Sequence, residues 1–150
     1  VLRLETQHDE ETLPGSYEEI PQTLMKWGMH KEPQECIWVV AIDPELHVRT
    51  VVEVARGSHV KARVHIPTLI AAVVTAGCER FVLVHNHPSN IAAPSPGDHS
   101  MTRAIMEAAN ASGLYFEDHI ILTPKREWHS MTLSGEMRPV DYAKHASSVG

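Results

Sequence analysis

The sequence predicts one α+β domain, a mixed α/β arrangement in which helices flank a central mixed sheet. Three observations lead there. A chain of 150 residues is close to the usual size of a compact domain and can bury a core without disulfide or metal staples. Hydrophobic residues make up 43% and charged residues 21%, which is ordinary globular usage, far from disordered or membrane-spanning compositions. Finally, short apolar runs of strand type alternate with segments of helical period, in the order helix, strands, helix, strand, helix, strands. Such alternation packs as helices around one sheet.

Residues 1–15 are polar, acidic and aperiodic, and read as a flexible N-terminal arm. Residues 17–29 place Ile20, Leu24 and Trp27 at helical spacing, with Pro21 in the first turn where a missing N–H costs little. The run 36–42 is apolar on both faces, as a central strand would be. Asp43-Pro44-Glu45-Leu46 signals a turn, and residues 48–55 alternate with Val48, Val52 and Val54 on one face, so the two strands make a hairpin. After Gly57-Ser58, residues 60–66 read as a third strand, and Pro67 opens an apolar helix that runs to 76 and closes at Gly77. Residues 80–85 form a buried strand. A loop rich in Pro, Ser and Ala leads into a helix at 96–112, with Met101, Ile105 and Ala108 inward and Gly113 as its stop. Residues 115–123 and 128–133 form a closing strand pair around Pro124-Lys125-Arg126-Glu127. The domain is thus expected over 16–135, followed by a C-terminal tail over 136–150.

Composition narrows the function. The net charge is −6, with only 13 Lys and Arg, and these are scattered, which opposes nonspecific binding to nucleic acid. No stretch approaches the roughly 20 apolar residues that cross a bilayer, and residues 1–15 are too polar for a secretory signal, so a cytoplasmic location is expected. Cys36 and Cys78 each sit in an apolar stretch and do not form a C-x-x-C pair, so they read as reduced core thiols. The 11 histidines are many for such a chain.

Two of those histidines carry chemistry. Alternate residues of an extended strand share a face, so His85 and His87 can present two imidazoles to one ion if the strand persists past Val84, with Asn86 facing away. Two imidazoles and one carboxylate bind zinc and leave a fourth position open for water. Asp98, in the first turn of the helix after the proline-rich loop, is the candidate carboxylate. A local reading competes with it: Ser95-Pro96-Gly97-Asp98 has the form of a capping box, with Ser95 as N-cap. Capping alone leaves the histidine pair unexplained.

His85-x-His87, seven residues, Ser95, two residues, Asp98 matches the JAMM motif of the JAB/MPN metallopeptidases without a gap. His85-Asn86-His87-Pro88-Ser89, Pro94-Ser95-x-x-Asp98-x-x-x-Thr102 and Asp118-His119-Ile120-Ile121 resemble the RadC branch, as do Arg56-Gly57-Ser58 and Ser130, over roughly residues 16–133. The resemblance implies a JAB/MPN-like (cytidine deaminase-like) fold, one Zn2+ per chain on His85, His87 and Asp98, and cleavage of a peptide or isopeptide bond in a peptide or ubiquitin-like protein substrate. It also implies a catalytic glutamate ahead of the first sheet strand, and an oxyanion-stabilising serine, Ser95. Glu35 stands where the family places its glutamate. Glu53 is the alternative, but it lies inside the second strand beside Arg49 and reads as a solvent-facing residue.

The chain departs from RadC at Asn90, where glycine is usual, and Asn tolerates positive φ better than most residues. Pro67-Thr68-Leu69 replaces the usual Pro-Arg-Glu. No helix-hairpin-helix segment of the kind that often precedes the RadC domain occurs within these residues, which weighs against direct DNA binding. His8, His30, His47, His59, His65, His99, His129 and His145 lack ligand spacing and read as solvated or hydrogen-bonded, whereas Asp118-His119 matches a family position and suggests support of the metal site. H-E-x-x-H and the deaminase H-x-E with P-C-x-x-C are missing. Two other readings stand beside the hydrolase: a non-catalytic MPN-type interaction module, and a RadC-like factor in DNA-repair or mobile-element complexes.

Overall fold

The computed structural model describes residues 3–5 and 20–137. The arm outside 3–5, the start of the first helix at 17–19, His8, His145 and the tail beyond 137 lie outside the described residues. A six-stranded mixed sheet runs in the order β1-β3-β2-β4-β5-β6. Its strands are β1 (Arg3–Glu5), β2 (Cys36–Ile42), β3 (Val48–Arg56), β4 (Arg80–Asn86), β5 (Tyr115–Leu122) and β6 (Trp128–Ser130). Only the β4–β5 pair is parallel, joined by a helical crossover, while the remaining neighbours are antiparallel. The helices are α1 (Ile20–Lys26), α2 (Val60–Arg63), α3 (Ile66–Thr75) and α4 (Pro96–Ser112), with a 3-10 turn at Met29–Lys31.

Strand β2 is buried at all seven positions, and its alternation feeds two cores. Ile37, Val39 and Ala41 face the layer of α3 and α4, where they join Leu69, Val73, Phe81, Leu83 and Ile105. Trp38, Val40 and Ile42 face α1 and join Leu24, Met25, Val82, Val84, Ile120 and Leu122. A two-sided sheet of this kind explains why β2 and β4 carry no polar face.

Four local expectations change. Arg3–Glu5, within the expected arm, pairs with Glu53, Val52 and Val51 as an edge strand, which is too short to show a period. Residues 60–63 form the helical turn α2 rather than a strand, because His59 turns the chain through a left-handed conformation (φ 57) and Val60 drops into the α3–α4 core. Val48 and Val54 do not share a face: register shifts near both ends of the β2–β3 pairing leave Val48 in the α1 core and Val54 against the other, as β-bulges do. In α4, Ala109 is the fully buried alanine, while Ala108 is only half-buried.

The closing strand expected over 128–133 ends at Ser130, with residues 131–133 in a turn, and elsewhere the expected punctuation holds. Helix α4 spans 96–112 between a Ser95 cap and Gly113, whose φ of 73 lets the chain turn out through the left-handed region. Asn90 also adopts positive φ, 66, so it fills the conformation for which glycine is usual. Among the described residues no helix is long and apolar enough to cross a membrane.

Candidate metal centre

The site forms where the C-terminal end of β4 meets the N-terminus of α4. His85 lies in β4, and His87 follows its last residue with the backbone still extended, since the His87 N–H bonds Leu122 O at 2.8 Å. The two rings meet edge to face with centroids 4.7 Å apart. Asp98, fully buried, touches both: its Oδ1 is 3.2 Å from His85 Nδ1 and its Oδ2 is 3.2 Å from His87 Nε2. The ring orientation of His87 is set from behind, because its Nδ1 bonds the Ile91 carbonyl at 2.7 Å and leaves Nε2 to the site.

Capping uses only one oxygen of the Asp98 carboxylate. Its Oδ2 accepts from Ser95 N at 2.8 Å and its N–H donates to Ser95 Oγ at 3.1 Å, which completes the capping box. Its Oδ1 is buried and makes no hydrogen bond, and neither does His85 Nδ1 opposite it. Buried polar atoms without a hydrogen bond are costly, and a bound cation would offset that cost. Two imidazoles and a carboxylate in contact are the donor types that suit a zinc-type ion.

Glu35 reaches the other ring nitrogen of His85 from the loop before β2. Its Oε1 is 2.6 Å from His85 Nε2, and donor atoms of Glu35, His85 and His87 lie within 4.8 Å of one another, a group that could hold a metal ion. Its placement depends on residues to which the sequence alone assigned no role. Asn86, which faces away from the histidines as expected, is wholly buried: its Oδ1 accepts from Cys36 N at 2.6 Å and its Nδ2 donates to Glu32 O and Gln34 O at 3.1 and 2.9 Å. Gly57, at φ 94, donates its N–H to Glu35 O at 2.8 Å. Arg56 bonds Glu32 Oε2 at 3.0 Å. These ties fix the loop that carries Glu35.

Glu53 sits elsewhere and is not solvent-facing. It is 6% exposed and takes two bonds from Arg56, at 3.0 Å from Nε and 2.5 Å from Nη2. Bulging of β3 turns it inward, and its carboxylate supports the arginine that grips Glu32.

The electrostatics follow from these contacts. Burial alone pushes Asp98 up, but the His85 and His87 rings beside it and the hydrogen bond from Ser95 outweigh it and hold the carboxyl far below the usual carboxylate range. Burial pushes His85 down, yet the Asp98 and Glu35 carboxylates beside it raise the imidazole above its ordinary value. The hydrogen bond to His85 holds Glu35 below its ordinary value despite partial burial. An ionised Asp98 and Glu35 around His85 form a pocket built for positive charge.

His119 stands behind the site, its ring stacked 6.0 Å from that of His85. Its Nδ1 shares a 2.7 Å hydrogen bond with Thr102 Oγ1, and Thr102 in turn donates to Asp98 O. Burial pushes this imidazole down to about 3, so it is neutral. Its neighbour Asp118, pushed up by burial, accepts from the Ser130 hydroxyl and from Thr132 N, anchoring β5 to the turn after β6. The remaining histidines divide. His47 meets Asp43, His65 meets Thr68, and His99 and His129 both meet Glu136, as hydrogen-bonded side chains. His30 is the exception, buried at 1% exposure in the 3-10 turn with no hydrogen bond to Nδ1.

Residues 16–136 match the RadC-like JAB domain. The chain is similar to UPF0758 proteins of Desulforudis audaxviator (31% identical over 102 residues, 68% of this chain and 44% of that protein) and Trichlorobacter lovleyi (33% over 89 residues, 59% and 39%). A third, from Rhodobacter capsulatus, is 32% identical over 100 residues, 67% of this chain and 47% of that protein. The matched stretch spans less than half the length of these relatives. Since the family match takes in every strand from β2 to β6, all four helices and the whole histidine–aspartate centre, the chain belongs to the RadC-like JAB domain family.

Proposed function

We propose that this chain is a zinc-dependent hydrolase of the JAMM type that cleaves a peptide or isopeptide bond with an activated water. The observation that carries this reading is the meeting of His85, His87 and Asp98 in one buried cluster, with buried atoms that make no hydrogen bond facing each other and Glu35 at the rim. His85, His87 and Asp98 would hold the ion. Bound there, zinc would supply a Lewis acid and a water whose pKa falls to about 7.

Glu35 is ionised at neutral pH, and its side chain is 30% exposed, so it can meet both water and substrate. It takes a proton from the attacking water as the new C–O bond forms, and passes that proton to the leaving nitrogen as the C–N bond breaks. Ser95 Oγ accepts the Asp98 N–H, which uses a lone pair and leaves the hydroxyl hydrogen free to donate to the oxyanion. Capping and oxyanion stabilisation therefore use opposite ends of the same hydroxyl, and such a donor is worth about 3 kcal/mol in other enzymes. A peptide or ubiquitin-like protein is the substrate class this chemistry serves, and the buried, unbridged Cys36 and Cys78 suit a cytoplasmic setting.

Zinc-loaded protein incubated with linear peptides and lysine-linked isopeptides is expected to release new amines, and the Glu35→Gln variant is not. Equal turnover by both proteins would remove Glu35 from the mechanism. Absence of turnover on either bond class by the zinc-loaded wild type would defeat the hydrolase reading.

A further inference from the structure

A lysine stands inside the proposed centre with no part in the chemistry above. Lys61, on α2, places Nζ 3.5 Å from Asp98 Oδ1 and 3.6 Å from Glu35 Oε1, with its side chain 29% exposed. Among the described residues it is the one lysine or arginine paired with either carboxylate. Its position is built: Val60 beside it is buried in the core, and its stem crosses α4 at Gly97, where an added Cβ would lie 3.2 Å from Lys61 Cδ. Asp98 Oδ1 is also the oxygen that faces His85 Nδ1, so an ammonium and a metal ion would compete for the same atom.

We propose that Lys61 is a resident counter-cation of the metal centre, bridging Glu35 and Asp98 in the metal-free protein and opposing the binding of a divalent cation there. This rests on the zinc site of the preceding reading. Without metal, the two carboxylates that flank His85 repel each other, and the ammonium offsets that repulsion from its 3.5 and 3.6 Å contacts. When a dication enters, the like charge must swing towards solvent, which its partial exposure permits. Lys61 is thus a positioning residue: it keeps Glu35 and Asp98 together before metal arrives and is displaced afterwards.

The test is zinc affinity of the full chain, measured by competition with a chromogenic chelator, alongside melting of the metal-free protein. Lys61→Met and Lys61→Gln are expected to bind zinc about tenfold more tightly, since two partly exposed ion pairs are removed, while their metal-free forms melt lower. Lys61→Arg, which keeps the charge, is expected to gain no such tightening. A merely structural role would move affinity the other way, because a loosened site binds metal worse. Wild-type binding that both neutral variants leave unchanged or weaken overturns the inference alone. Zinc binding by neither wild type nor variants removes the metal-site reading and this inference with it.

Discussion

Asn86 offers a sharp test of how the loop bearing Glu35 is held. Replacing it by leucine, of similar size, removes three hydrogen bonds to the segment before β2. The acceptors Glu32 O and Gln34 O belong to residues with solvent access and can rehydrate, so each lost bond costs about 1 kcal/mol. The Cys36 N–H is buried and loses this acceptor, at about 1–3 kcal/mol. The sum is roughly 3–5 kcal/mol, and for a domain of this size each kcal/mol moves the melting point by about 2–4 °C, so a fall of roughly 6–20 °C is expected. Calorimetry on metal-free Asn86→Leu measures it. Hydrolysis at a temperature where the variant is folded should also drop, since Glu35 loses its anchor. A stability loss under about 1 kcal/mol would show that the amide is not what fixes the loop.

Four further outcomes are expected. Glu35→Gln should retain metal and lose hydrolysis, whereas Glu53→Gln should chiefly lower the melting point through its arginine partner; the reverse pattern in paired zinc and turnover assays would transfer the base role to Glu53. Asn90→Gly should leave stability nearly unchanged, while Asn90→Val should cost about 1–2 kcal/mol in denaturant unfolding, because a β-branched residue resists the left-handed region. Burial lowers the His30 pKa in the folded state, so the unfolded chain binds the proton more tightly; stability is full above the unfolded value of about 6.5 and falls as pH drops below it. His30→Asn should flatten that fall in metal-free protein, and an unchanged slope between pH 7.5 and 5.5, taken as approximate test points, would contradict it. Ile105→Ala, emptying a fully buried site, should cost about 2–5 kcal/mol.

How much was legible in advance depends on how far each feature reaches along the chain. The limits of α4 follow from Ser95, Pro96 and Gly113, local chemistry that tertiary packing had no reason to override, and the two-sided burial of β2 follows from its unbroken apolar run. The meeting of His85, His87 and Asp98 is legible for a similar reason: they are separated by one strand end and one loop. What stayed hidden depends on distant pairing. Arg3–Glu5 becomes a strand only because β3 offers an edge, and Glu53 is turned inward by bulges that leave no mark in the alternation. Asn86 reaches across about 50 residues to position Glu35, and Lys61 enters the site only because a four-residue turn replaces the expected strand.

The most direct test of the central claim is the metal content of the purified protein after metal-replete preparation, by elemental analysis, with His87→Ala beside the wild type. The account predicts about one zinc per wild-type chain and essentially none in His87→Ala with its fold intact by circular dichroism. Wild-type protein without zinc, or a His87→Ala variant that keeps it, would contradict the account.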